Sequence, residues 1–310
     1  MSITGYPRES GTARTSARHR TGDARGTGES PDPDPADEEP PVPHTSWIRL
    51  SDAPSARLRL FCFPHAGAGA ATYRPWGAAL APGIQVCAVV PPGRESRVRE
   101  RPHRRIEELL PPLVEAVAAH ADRPYAIFGH STGAAVGYEV ARALAARDCG
   151  PPVCLAVSGR RPPALPADTA HHLLPDAEFV AALRHLGGLD GVGEPDGPGG
   201  EPSVEARLWR LLLPGLRADF ELHETYRELP GEPLTIPVLA CAGADDPAVT
   251  PGRMGEWRHT TRGPFRQRTF PGGHFYLTAV GDPEGAVPRA LRETLTELGA
   301  LAHPGTGRSG

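Results

Sequence analysis

The sequence contains no lysine and no asparagine, and these two absences exclude several kinds of chemistry. All 33 residues counted as Lys or Arg are arginines. Without lysine the chain has no P-loop, no Schiff-base nucleophile and no anchor for pyridoxal phosphate. Without asparagine it has neither a Cys-His-Asn triad nor a site for N-glycosylation.

Cysteine and net charge are also low. The five cysteines show no Cys-x-x-Cys spacing, and four of them lie in apolar runs typical of strands, so we expect buried free thiols in a reducing compartment. A net charge of −4 and a pI near 6.4 give no basic surface for nucleic acid or an anionic membrane. No apolar run approaches membrane-spanning length. We expect a soluble, cytoplasmic protein whose partner is a small molecule or a protein.

The chain of 310 residues is long enough for one α/β domain and some surplus. Residues 1–45 have no apolar periodicity and include an acidic, proline-rich run, so they are predicted to be a disordered tail; a docking segment is the alternative. Residues 303–310 are predicted to be a second tail. The domain then spans residues 46–302.

From Trp47 onward, short apolar runs alternate with longer amphipathic stretches, which predicts an α/β fold with a mostly parallel sheet flanked by helices. Strands are predicted at 47–50, 57–63, 84–90, 125–128, 153–158, 234–242 and 265–270. Helices are predicted at 72–80, 104–120, 132–147, 252–259 and 284–298, the last with one apolar face.

An insertion at about residues 160–232 interrupts this alternation. It contains two apolar helical stripes separated by a predicted loop at 187–200 that is rich in Gly, Asp and Pro. The stripes are Phe179, Val180, Leu183 and Leu186, and then Leu208, Leu211, Leu212, Leu216 and Phe220. A helical pair at this point predicts a lid over the carboxyl edge of the strands, with extra packing as the alternative.

Gly129-His130-Ser131-Thr132-Gly133 comes directly after one predicted strand and directly before a helix. A sharp strand-to-helix turn would expose the Ser131 hydroxyl, and glycines two residues to either side allow the turn to close. Ser131 is therefore the predicted nucleophile.

A serine nucleophile needs a base, and the base needs an orienting acid. Asp246 follows a predicted strand and is the predicted acid, with Asp245 as the alternative and a helix cap or solvated turn as the structural interpretation. His274 follows a glycine-rich loop after another strand and is the predicted general base. Other histidines, at positions 65, 130, 171, 172 and 223, are expected to have packing or solvent roles.

Acyl transfer also needs two backbone N–H groups directed at the developing oxyanion. The N–H of Thr132 follows the nucleophile, and the N–H of Ala66 lies in a loop of small residues after the strand at 57–63; an ordinary glycine turn is the alternative for this loop. This chemistry requires no cofactor and no metal ion.

Several motifs together resemble the α/β-hydrolase superfamily and, within it, the type II thioesterases of polyketide and nonribosomal peptide synthases. The matching segments extend over about residues 47–301. They include Phe63-Pro64-His65-Ala66-Gly67, Pro91-Pro92-Gly93-Arg94, Gly129-His130-Ser131, Ser158-Gly159-Arg160-Arg161, Arg217-Ala218-Asp219-Phe220 and Pro271-Gly272-Gly273-His274-Phe275.

The resemblance implies hydrolysis of acyl thioesters carried on the phosphopantetheine arm of an acyl or peptidyl carrier protein, by a protein expected to be a monomer. It assigns Ser131, Asp246 and His274 to the triad, and it assigns the acyl pocket to the lid stripe around Leu208, Leu212, Leu216 and Phe220. Many relatives have Met where this chain has Thr132. The alternatives are a carboxylesterase or lipase-like hydrolase, and a non-catalytic binding protein on the same scaffold.

Overall fold

A computed structural model describes residues 47–185, 204–278 and 285–301. The predicted tails at 1–45 and 303–310, the predicted loop at 187–200 and Leu186 of the first lid stripe lie outside the described residues. The domain limits at 46 and 302 also lie outside them and stay predictions.

The described residues contain one sheet of seven strands. They are hydrogen-bonded in the order β1-β3-β2-β4-β5-β6-β7, and among them only β1 is antiparallel to its neighbour. The strands are β1 (Ile48–Leu50), β2 (Leu58–Phe63), β3 (Ile84–Val89), β4 (Tyr125–His130), β5 (Leu155–Ser158), β6 (Val238–Gly243) and β7 (Phe265–Phe270). All seven predicted strands are confirmed. The strand predicted from residue 234 starts later, because Leu234 forms only an isolated bridge to Thr261.

The five inner strands, β2 to β6, are buried along their whole length. This explains their continuous apolar sequences, since a parallel sheet is covered by helices on both faces. The edge strand β7 has mostly exposed side chains, including Arg266 and Arg268. Charged side chains on an edge strand oppose pairing with another chain.

The described residues include seven α-helices. They are α1 (Arg74–Leu80), α2 (Ile106–Ala118), α3 (Thr132–Ala145), α4 (Asp176–His185), α5 (Val204–Thr225), α6 (Pro251–Gly255) and α7 (Ala286–Glu297). Two predicted helices are partly 3-10 helix, at Ala70–Tyr73 before α1 and at Glu256–Thr260 after α6. No helix in the described ranges is long and apolar enough to cross a membrane.

Strand residues alternate between two apolar cores, one on each face of the sheet. In β2, Phe61 and Phe63 belong to the core that contains α2 and α3, whereas Leu58, Leu60 and Cys62 face the core beneath α1 and α7. This alternation is the two-residue period of a strand. The predicted class, a mostly parallel sheet flanked by helices, is confirmed.

All five cysteines are free thiols, and four of them are buried. Burial raises the pKa of Cys154 and of Cys241 to about 12. These thiols therefore pack as small apolar side chains.

Helices α4 and α5 follow β5 and form a third apolar cluster, which contains Phe179, Val180 and Leu183 of α4 with Trp209, Leu213, Leu216 and Phe220 of α5. The predicted stripe on α5 is wrong in its first half. Leu208, Leu211 and Leu212 are 42%, 64% and 36% exposed. The first half of α5 has apolar residues on more than one face, and the face with the large indole of Trp209 is the one that is buried.

Candidate active site

Ser131 occupies the sharp turn between β4 and α3, with φ +53° and ψ −119°. A Cβ atom on Gly129 would lie 2.1 Å from the carbonyl oxygen of Gly133, and one on Gly133 would lie 2.1 Å from the carbonyl oxygen of Phe63. Neither contact is possible for a larger residue, which explains both glycines. The backbone N–H of Ser131 donates to the carbonyl of Ser158 at 2.8 Å and holds this strained conformation in place.

His274 and Asp246 lie together at the same edge of the sheet, after β7 and β6. The Nδ1 atom of His274 is 2.9 Å from Oδ2 of Asp246. The other carboxylate oxygen accepts the N–H groups of Ala248 at 2.8 Å and Val249 at 3.1 Å. Asp245, the alternative acid, is exposed. Asp246 is therefore the residue that contacts the histidine.

This contact indicates the tautomer of His274. A carboxylate only accepts hydrogen bonds, so the proton between the two residues is on Nδ1 of the imidazole. The Nε2 atom then has a free lone pair that can take a proton. Both side chains are almost fully buried, which keeps the ring in one orientation.

A cavity of about 340 Å³ brings the predicted site residues together. Its walls include Ser131, Thr132, His274, Ala66 and Phe220. The predicted oxyanion residues thus line the same cavity as the serine, and Thr132 begins α3, where the helix dipole favours negative charge.

The lid residues divide into those near this cavity and those away from it. Phe220 is in the cavity wall. Leu216 packs against the loop after β2, since a Cβ atom on Gly67 would lie 2.4 Å from its Cδ2 atom. Leu208 and Leu212 are on the exposed side of α5 and do not line this cavity, and the acyl-pocket role of these two stays a prediction.

Two further histidines surround His274. His65 and His130 are 5.6 Å apart between ring centroids, and His130 is 5.0 Å from His274. Burial, with a smaller effect of His274, lowers the pKa of His65 to about 4 and also lowers that of His130. His130 Nδ1 lies 2.8 Å from the Ser158 hydroxyl, so it is engaged away from Ser131. The absence of a side chain at Gly159 leaves space for the His130 ring, because a Cβ atom at this position would lie 2.7 Å from that ring.

The remaining histidines also have other partners. Nδ1 of His223, on α5, is 3.2 Å from the hydroxyl of Thr132 and contacts the guanidinium of Arg160. His171 and His172 lie against Glu224, whose oxygens accept both of their backbone N–H groups.

Arg160, for which the sequence predicted no role, lines the cavity and is buried. Its guanidinium lies 5.3 Å from the ring centre of Tyr226, and its backbone carbonyl accepts the indole N–H of Trp257. Burial lowers the pKa of Arg160 to about 10, so the group is charged at neutral pH. Its position two residues after the end of β5, at the carboxyl edge of the sheet, is the signal that could have identified it.

Metal ligation has no candidate cluster within the described ranges, where no three or more His, Cys, Asp or Glu side chains converge to hold an ion.

The chain is similar to known proteins over most of its length. The family model described as "Thioesterase domain" matches residues 58–293. "Thioesterase PikA5" of Streptomyces venezuelae is 40% identical over 233 residues, which cover 74% of this chain and 80% of that protein. "Gramicidin S biosynthesis protein GrsT" of Aneurinibacillus migulanus is 36% identical over 224 residues, covering 72% and 84%.

The fold of this chain is also similar to that of a solved thioesterase structure. The type II thioesterase BorB from the borrelidin biosynthetic cluster superimposes with a TM-score of 0.69 at 40% identity, covering 80% of this chain and 97% of BorB.

Proposed function

This chain belongs to the thioesterase family and has the α/β-hydrolase fold, and we propose on that premise that it is an editing type II thioesterase. It hydrolyses acyl thioesters on the phosphopantetheine arm of acyl or peptidyl carrier proteins in polyketide or nonribosomal peptide biosynthesis. The observation that carries this proposal is the convergence of Ser131, His274 and Asp246 at one edge of the sheet, with the first two lining one cavity.

The reaction starts with attack of the Ser131 oxygen on the thioester carbonyl, while Nε2 of His274 takes the hydroxyl proton. Asp246 stabilises the imidazolium through the bond at Nδ1. The backbone N–H groups of Thr132 and Ala66 donate hydrogen bonds to the oxyanion of the tetrahedral intermediate. Collapse of this intermediate breaks the carbon–sulfur bond, and His274 returns the proton to the departing thiolate.

An acyl ester on Ser131 remains. Water then attacks its carbonyl as His274 takes a proton from the water. The second tetrahedral intermediate releases the acid and restores the Ser131 hydroxyl with the proton from His274. Phe220 and His223 form the part of the cavity wall that comes from α5, which supports a role of the lid in acyl binding.

The partner in this proposal is a carrier protein with an acyl-phosphopantetheine group. A cytoplasmic location and a monomeric state belong to the same proposal. The buried free thiols are consistent with a reducing compartment.

The test compares hydrolysis of an acyl-carrier protein with that of a nitrophenyl ester of the same acyl group. Ser131→Ala is expected to lower turnover by about 10⁴-fold or more, and Asp246→Asn by about 10²- to 10⁴-fold because the tautomer of His274 is no longer fixed. Asp245→Asn is the matched control and is expected to leave turnover unchanged, because Asp245 is exposed.

Three results would contradict the proposal. If Ser131→Ala were as active as the unaltered protein, Ser131 would be excluded as the nucleophile. Turnover of the nitrophenyl ester without turnover of the carrier protein would indicate an oxygen-ester hydrolase. Absence of a fluorophosphonate adduct on Ser131 would favour a binding protein.

A further inference from the structure

Asp219, on the lid helix α5, connects that helix to the loop that contains Ala66. Its Oδ2 atom accepts the backbone N–H of Gly67 at 2.7 Å, across 152 residues of sequence. The same oxygen accepts Nη2 of Arg94 at 2.5 Å. The Asp219 side chain is 21% exposed and that of Arg94 10%, so the arrangement is mostly shielded from water.

We propose that Asp219 is a positioning residue that orients the oxyanion loop, defined here as residues 64–69. This inference rests on the proposed function, because it concerns the N–H of Ala66 as an oxyanion donor. It makes the placement of that donor depend on the position of α5.

The oxyanion loop needs such a side-chain contact because the backbone at Gly67, next to Ala66, can adopt several conformations. Gly67 has φ +81°. Glycine adopts positive and negative φ about equally readily, so its own sterics do not hold it at this angle. The Gly67 N–H belongs to the peptide unit that directly follows the Cα atom of Ala66. Fixing this peptide plane therefore restrains the ψ angle of Ala66.

The other side of Ala66 is restrained by packing. The ring of His65 lies 5.0 Å from that of Phe275, centre to centre. With His65 and Gly67 both held, the backbone on either side of Ala66 is restrained. Oxyanion donors act through such preorganised geometry, and a displacement of about 1 Å can lower a rate about 10²-fold.

Arg94 fits closely against the same helix and fixes the carboxylate of Asp219. A Cβ atom on Gly215 would lie 2.1 Å from Nη1 of Arg94, so the guanidinium occupies space that only a glycine leaves open. Nη1 also donates to the carbonyl of Gly93 at 2.9 Å. The helix, Arg94 and the oxyanion loop thus form one connected unit.

Glu221 provides a matched control. It is two residues from Asp219 on α5 and also pairs with arginines, Arg104 at 2.7 Å and Arg105 at 3.4 Å. Both partners precede α2. Removing Glu221 therefore removes a carboxylate–arginine pair from α5 without affecting the contact between α5 and the oxyanion loop.

The experiment compares Asp219→Ala, Asp219→Asn and Glu221→Ala with the unaltered chain. It measures kcat and KM for an acyl thioester, the inhibition constant of a trifluoromethyl ketone analogue, and the melting temperature. The ketone forms a tetrahedral adduct with Ser131 whose oxygen occupies the oxyanion site, so its affinity reports on the donors.

Asp219→Ala is expected to lower kcat and ketone affinity in parallel by about 10²-fold, with KM within about twofold. Asp219→Asn keeps an oxygen acceptor for Gly67 but loses the charge, so we expect a smaller loss of about three- to tenfold. Glu221→Ala is expected to change kcat and ketone affinity by less than about twofold, since its partners Arg104 and Arg105 precede α2 and are not part of the oxyanion loop.

Unchanged kcat and ketone affinity in Asp219→Ala, or an equal loss in Glu221→Ala, would overturn the inference. If Asp219→Ala does not fold, Asp219→Asn is compared with Glu221→Gln instead. Equal kcat and equal ketone affinity in these two variants would overturn the inference. An unaltered chain that neither hydrolyses thioesters nor forms the ketone adduct would instead contradict the proposed function.

Discussion

Acidification is expected to destabilise the protein well above the pH at which carboxylates titrate, because three histidines are held neutral in the fold. The pKa of His65 is lowered to about 4, and those of His130 and His223 are lowered as well. Burial is the largest cause of the lowered pKa for all three, followed by a smaller electrostatic effect of His274 on His65 and His130, and of Arg160 on His223.

The sign follows from proton uptake. In the unfolded chain these histidines titrate near pH 6.5, whereas in the folded chain they stay neutral to lower pH. Unfolding below about pH 6.5 therefore takes up protons, and the free energy of unfolding falls as the pH falls. For His65 this loss ends near pH 4, where the folded form is also protonated.

The magnitude is set by the unfolded pKa. Between about pH 6.5 and 5.5, each histidine that stays neutral in the fold lowers the free energy of unfolding by about 1 kcal/mol, so the three together lower it by about 3 kcal/mol. Urea unfolding at these two pH values measures the difference.

A substitution pair makes the assay specific. His130→Gln removes one of the three groups, and the pH effect should shrink by about 1 kcal/mol. His259→Gln is the control, because the His259 side chain is 72% exposed, and its pH effect should equal that of the unaltered chain. A free energy of unfolding that is constant across this range, or an equal pH effect in His130→Gln and the unaltered chain, would refute the reasoning.

Two further substitutions test the packing of the site and of the lid. Gly159→Ala places a methyl group 2.7 Å from the His130 ring at φ +59°, so it should cost about 1–3 kcal/mol and lower turnover, whereas Gly150→Ala, at φ +68° in open space, should leave turnover unchanged. Equal turnover in the two variants would contradict this account. Trp209→Ala should lower the free energy of unfolding by about 3–5 kcal/mol, and Leu211→Ala, on the exposed face, by less than about 0.5 kcal/mol; equal losses in urea unfolding would contradict the lid orientation.

Most of the sheet could be predicted from sequence because its strands have a strong local signal. Inner strands are continuous apolar runs, and amphipathic stretches separate them. Weak points were the ends of elements, as at Leu234, where only an isolated bridge forms. End positions depend on neighbours that a local pattern does not include.

The main error in the predicted lid was the buried face of the first half of α5. Its first stripe was predicted correctly for Phe179, Val180 and Leu183, since polar residues define the opposite face. The first half of α5 has leucines on several sides, so periodicity alone could not select the face with Trp209. Which face is buried depends on the shape of the surface that the helix covers.

The features that could be recognised without coordinates are local: the turn at Ser131 with a glycine two residues to each side, the alternation of strands and helices, and the order of serine, acid and histidine. The contact of Asp246, rather than of the adjacent Asp245, with His274, 28 residues away, depends on the three-dimensional arrangement of β6 and β7. The tertiary structure also decided the contact of Asp219 with Gly67 across 152 residues. Such pairings depend on how distant strands and helices are brought together, and a hydrogen bond responds to displacements of a few tenths of an ångström that no local pattern encodes.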